Sequence, residues 1–105
     1  MVIIETAAFE RRRPDYLTED QYALLGWYLA RRPDAGGVIH GSGGVRKLRW
    51  RLPGGGKLGG LRVIYYWITR REQILVLTLY RKGEVDDLTP AEVRQLKQMI
   101  QAIKK

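Results

Sequence analysis

The sequence has no cysteine, which removes disulfides, thiolate metal sites and cysteine nucleophiles together. It has a single histidine, His40, and its acids do not cluster with metal-ligand spacing, so a metal-dependent nuclease or hydrolase is poorly supported and no cofactor is expected. No apolar run approaches the ~20 residues that a membrane helix needs. The opening Met-Val-Ile-Ile-Glu-Thr meets an acid after its third apolar residue and reads as a strand, not a signal segment. The expectation is a soluble, unprocessed, cytoplasmic protein without a membrane partner. Internal repeats and low-complexity linkers are absent too, and 105 residues suit one domain over 1–105.

What the chain does have is positive charge. Nineteen Lys and Arg stand against eleven Asp and Glu, a formal +8. The excess is local: residues 43–82 hold ten basic side chains (Arg46, Lys47, Arg49, Arg51, Lys57, Arg62, Arg70, Arg71, Arg81 and Lys82) and one acid, Glu72. That stretch carries +9 and the rest nets −1. A solvated surface is the commonest cause of a charge run, but one this concentrated points to a polyanionic partner.

Periodicity predicts a strand over 2–6, short helical turns over 7–13, and a helix starting at the Thr18/Gln21 capping box and closed by Pro33. A strand over 45–52 alternates Leu48, Trp50 and Leu52 against Lys47, Arg49 and Arg51. A nearly apolar strand over 61–69 and one over 74–80, with Leu75, Leu77 and Leu79 expected on one face, are joined by the short turn at Arg70 to Gln73. A last helix begins at Thr89-Pro90 with Glu92 completing a second capping box, and buries Val93, Leu96, Ile100 and Ile103. The predicted fold is α+β, in the order β-α-α-β-β-β-α: an antiparallel sheet with helices packed on one face.

Lys47 and Arg49, two residues apart, share a strand face, and neighbouring strands ~5 Å away can add Arg62 and Tyr80 or Lys82 to it. Like charges gathered on one face cost stability unless an anion neutralises them, so a phosphate cradle is expected there. The glycine-rich 54–60 hairpin with Lys57 at its tip could close over a bound strand, although it lacks a P-loop ending. RNA cleavage needs no metal: a 2′-OH can attack its own phosphate if a base, cations and an acid are supplied, and Lys, Arg and Tyr can supply them. His40, alone in a loop, reads as a bystander. Trp50, Tyr65 and Trp67 read as core, and Arg11 to Arg13 as a solvated helix end.

Residues 38–50 (Val-Ile-His-Gly-Ser-Gly-Gly-Val-Arg-Lys-Leu-Arg-Trp), 56–66 (Gly-Lys-Leu-Gly-Gly-Leu-Arg-Val-Ile-Tyr-Tyr), 79–82 (Leu-Tyr-Arg-Lys) and the closing Asp87-Leu88-Thr89 resemble, in order, the motifs of HigB-like toxins in the RelE/ParE toxin–antitoxin superfamily. Ile3 to Thr6 and Phe9 extend the resemblance over nearly the whole chain. It implies the β-α-α-β-β-β-α fold and metal-independent cleavage of mRNA, commonly in the ribosomal A site beside ribosomal RNA. It also implies inhibition by a cognate helix-turn-helix antitoxin. Carried onto this chain, it assigns Lys47 and Arg49 to phosphate binding and proton transfer, and Arg62 to the pentavalent phosphate. Lys57 matches the hairpin lysine, and Tyr80 and Lys82 the last motif, for base stacking or acid chemistry; Arg46, Lys57, Arg81 and Arg51, a cation added beyond the family's pattern, are expected to bind RNA. The chain departs from the pattern at His40, where Pro is expected, at Ser42 for Thr, and at Leu58, which replaces a cation. The competing expectation is a ParE-like inhibitor of DNA gyrase, which the same superfamily fold would host; a degenerate, inactive nucleic-acid binder is the third.

Overall fold

In the computed structural model, residues 1–51, 60–84 and 88–104 are described. They run β1 (Val2–Glu5), α1 (Ala7–Arg12), a 3₁₀ turn (Arg13–Asp15), α2 (Glu19–Arg31), β2 (Gly37–Val38), β3 (Arg46–Trp50), β4 (Leu61–Ile68), a 3₁₀ turn (Thr69–Arg71), β5 (Gln73–Arg81) and α3 (Pro90–Lys104). Leu52 and the 54–59 hairpin with Lys57 lie outside the described residues.

The helix starts are set by their caps. Thr18 accepts from the Gln21 amide while the Gln21 side chain accepts from the Thr18 amide. Thr89 and Glu92 do the same for α3. Each box satisfies two amides that the first turn would otherwise leave unbonded. Thr6 caps α1, accepting from the Phe9 amide at 3.2 Å.

The five strands form one sheet in the order β1-β5-β4-β3-β2. It is mixed rather than antiparallel: β1 pairs parallel with β5, Ile3 against Ile74 and Ile4 against Leu75. The two are separated by most of the chain, so no hairpin dictates their relative direction, and local sequence cannot reveal it. The short β2 at the far edge was also unforeseen; its two residues, Gly37 and Val38, carry no periodicity to read.

The helices cover both faces, not one. Phe9, Leu17, Leu25 and Leu29 from the first two helices and their connecting turn pack with Leu48, Val63, Tyr65, Ile74, Val76 and Leu79. Ile100 of α3 packs on the other face with Val45, Ile64, Leu77 and Tyr80. The amphipathic stripe of α3 requires burial but does not say against which face.

A bulge in β5 decides the rest. Ile64 pairs with Thr78 and Tyr65 with Val76, leaving Leu77 as the extra residue. The freed Leu77 carbonyl accepts from the Thr6 hydroxyl at 2.9 Å. The expected Leu75/Leu77/Leu79 stripe is therefore broken: Leu77 faces α3 and Leu79 faces α1. The bulge also turns Tyr80 onto the α3 face, opposite Arg62. With unbroken alternation it would share the side of Ile74 and Val76.

Tyr22 packs against Phe9 at 5.7 Å between ring centroids, with the Arg13 guanidinium 5.3 Å from its own ring centre. Burial, and then the nearby Glu5 charge, push its phenol up to about 12. The unfolded phenol ionises near 10. The stability that Tyr22 contributes is thus complete below pH 10 and lost as pH rises through about 12. Tyr22→Phe is expected to shrink the loss of stability between about pH 9 and about pH 11 in denaturant titrations. Tyr16 and Tyr65, also raised by burial, retain part of that loss. Equal pH slopes in the two proteins would contradict the assignment.

Candidate functional site

The strand registers define the site. Arg49 on β3 lies directly opposite Arg62 on β4, and Arg62 directly opposite Tyr80 on β5. Lys47 is two residues before Arg49, opposite Ile64, and so projects from the same face. Two guanidinium groups thus occupy facing positions where Cβ atoms stand ~5 Å apart and like charges are destabilising. Among the described residues the ion pairs join Arg12 to Glu84, Arg13 to Glu19 and Arg32 to Asp34. None of them involves Arg49 or Arg62. Among the described residues the Arg62 guanidinium donates only to its neighbouring carbonyl, Leu61 O, at 3.4 Å.

A cleft of about 630 Å³ opens where β2 and β3 meet the start of α3. Lys47 and Arg49 form its cationic wall, and Val38, Ile39, Leu88 and Val93 its apolar one. Arg62 does not line it, but adjoins it through Arg49. His40 does line it, which the sequence reading missed. The available signal was the hairpin itself: Val38 pairs with Arg46, so the intervening loop is bound to stand over the end of β3.

The wall carrying His40 is held from beneath. The buried Tyr65 hydroxyl accepts from the Gly36 amide at 2.9 Å and donates to Pro33 O at 2.7 Å. A Cβ at Gly36 would fall 2.9 Å from the Tyr65 ring, so only glycine allows this approach. Further along, Ser42 is fully buried, donating to Ile39 O at 2.7 Å and accepting from the Val45 amide at 2.9 Å. Burial raises the Tyr65 phenol, keeping it protonated and able to donate. Tyr65→Phe leaves the Gly36 amide and Pro33 carbonyl without this partner and is expected to cost about 1–3 kcal/mol. Thermal unfolding checks it; an unchanged melting temperature would mean that water replaces the hydroxyl.

The structure does not bring every predicted residue together. Arg46 alternates to the opposite face, opposite Tyr65, and donates to Asp34 O at 3.2 Å and Gly36 O at 2.7 Å. It secures the 33–37 turn. Arg81 pairs with Leu61, again on the α1 side, where it donates to Asp15 O at 3.2 Å and lies 4.8 Å from the Tyr16 ring centre. Both were expected to bind RNA with the others, but alternation and these backbone carbonyls hold them away. Arg51 is exposed just past the end of β3, and Lys82 is exposed just past β5, its amide donating to Gly60 O at 3.3 Å. Tyr80 is 5% exposed, its ring packed in the core beneath α3, which leaves no ring face for a base to stack on.

Among the described residues no three His, Asp or Glu side chains are placed to hold a metal ion, and no helix is long and apolar enough to cross a membrane. No protein-family model matches the chain. Fold and site together define an α+β domain with a cationic sheet face, on which planar guanidinium forks stand on adjacent strands, the geometry that paired hydrogen bonds to one phosphate require.

Proposed function

We propose that the chain is the toxin of a type II toxin–antitoxin system, a metal-independent and ribosome-dependent endoribonuclease that cleaves mRNA. The reading is carried by Arg49 and Arg62 standing opposite each other without carboxylate partners among the described residues, next to a cleft lined by Lys47 and Arg49. The similarity of the motifs around these residues to HigB-like toxins supports it. In this reading the substrate's 2′-oxygen attacks the adjacent phosphorus and gives its proton to a base. The P–O5′ bond then breaks, leaving a 2′,3′-cyclic phosphate, and the 5′-oxygen takes a proton to leave as a hydroxyl. Arg49 and Arg62 hold the phosphate and offset the charge of its pentavalent form. Lys47 sits beside them for proton transfer, with Lys82 and the Tyr80 hydroxyl as the groups for the leaving oxygen. A helix-turn-helix antitoxin is the proposed partner.

Primer extension on cellular mRNA after brief induction tests this. Cuts within translated codons are the expected result. DNA-damage signalling with intact mRNA would replace this reading with a ParE-like gyrase inhibitor.

A further inference from the structure

We propose a second binding site, for RNA backbone phosphate, in the cleft between the β4–β5 turn and the C-terminal end of α3. This cleft measures about 440 Å³; Arg70, Arg71 and Lys104 line it over a floor of Tyr66, Ile68 and Ile103. Among the described residues no carboxylate lines it, and Glu72, the one acid of the turn, is not part of it. Among the described residues none of its three cations joins an ion pair. Lys104 alone would be explained by the negative end of α3, but Arg70 and Arg71 belong to a different element and have no such reason to gather there.

The site is separate from the first. Arg62 and Ile68 are six residues apart on β4, roughly 20 Å at the usual strand rise, and Arg70 lies beyond. One phosphate cannot touch both, but one strand of RNA can. Tyr66 occupies the same sheet face as Arg62. The loop between β2 and β3 runs from His40 in the first cleft to Gly44, which abuts the Tyr66 ring. Lys97 of α3 lies against Gly43 in between, its Cγ 3.6 Å from where a Cβ would stand. Four of the ten basic residues in 43–82 thus line the two clefts, Lys47 and Arg49 the first and Arg70 and Arg71 the second, and α3 adds Lys104 to the second and Lys97 between them. A flexible polyanion that follows this face fits the spacing better than a single acidic peptide side chain. The inference rests on RNA being the partner but not on its cleavage.

The test is fluorescence anisotropy with a short, labelled single-stranded RNA whose 2′-oxygens are all methylated, so that it binds but cannot react. Affinity is measured over a salt series for the wild type, for Arg70→Gln/Arg71→Gln/Lys104→Gln and for Arg70→Lys/Arg71→Lys. Loss of three phosphate contacts is expected to reduce the slope of log K against log salt by about 2, and to weaken binding at least tenfold at low salt. The lysine variant is expected to keep the slope. An unchanged slope and affinity in the glutamine variant overturn the site, as does an equal loss in the lysine variant. A glutamine variant that loses affinity for a polyglutamate peptide while keeping its RNA affinity also overturns it, in favour of an acidic protein partner. Cleavage of unmodified mRNA on translating ribosomes is followed separately, so a protein that binds through this cleft without cutting there would retire the ribonuclease proposal and leave the second site standing.

Discussion

Arg49→Ala and Arg62→Ala are each expected to lower RNA cleavage by about 10²–10³-fold, the usual loss when one preorganised donor to a developing oxyanion is removed. The same substitutions should leave the melting temperature unchanged or slightly raised. Arg49 is exposed and Arg62 half-buried, they oppose each other across β3 and β4, and no carboxylate holds either among the described residues. Removing one relieves a like-charge pair whose cost is of the order of ~0.2–1 kcal/mol. A residue that weakens the fold by its presence and abolishes activity by its absence is functional rather than structural. Arg62→Lys keeps the charge but loses the planar fork, so it should recover only part of the rate. Double and single alanine variants should be nearly equal, since both arginines act on one phosphate. Full cleavage activity in both single variants would remove the sheet face from the mechanism; a collapse in melting temperature would make the arginines structural.

Phe9→Ala is expected to be the most destabilising of the changes considered, at about 3–5 kcal/mol. Phe9 is fully buried on α1 at the centre of the cluster that α1, α2 and the sheet share, and its ring meets Tyr22. Its loss removes a large apolar surface and leaves a cavity that the flanking strands cannot close. For a domain of this size the melting temperature should fall by roughly 15–30 °C. Met99→Ala, on the exposed side of α3 at 44% exposure, is the control and should move stability by no more than about 0.5 kcal/mol. Comparable losses in the two would mean that the described cluster is not what holds the helices on the sheet.

Much of the architecture could be read before any coordinates. Both capping boxes are local hydrogen-bond patterns, and they form at Thr18 and Thr89 as their spacing predicts. The alternation of Lys47 and Arg49 with Leu48 and Trp50 likewise separates cations from core without knowledge of any partner strand. The site was legible only in part. Arg46 and Arg81 are as basic as Arg49, and nothing in composition distinguishes a guanidinium that secures a turn from one left facing solvent. That His40 lines the cleft depends on where a loop folds back, not on its neighbours in sequence.

The sequence by itself determined the order of the longer elements from β1 to α3, though not the two-residue β2, together with the caps, the faces of β3 and the concentration of charge, because each depends on contacts within a few residues or on simple periodicity. Only the tertiary structure decided that β1 runs parallel to β5, that α3 covers the face opposite α1 and α2, and that Tyr80 faces Arg62. These depend on pairings between distant segments. The bulge at Leu77 is the sharpest instance: one extra residue, its carbonyl bonded to Thr6 some seventy positions away, reverses which side of the sheet the end of β5 presents.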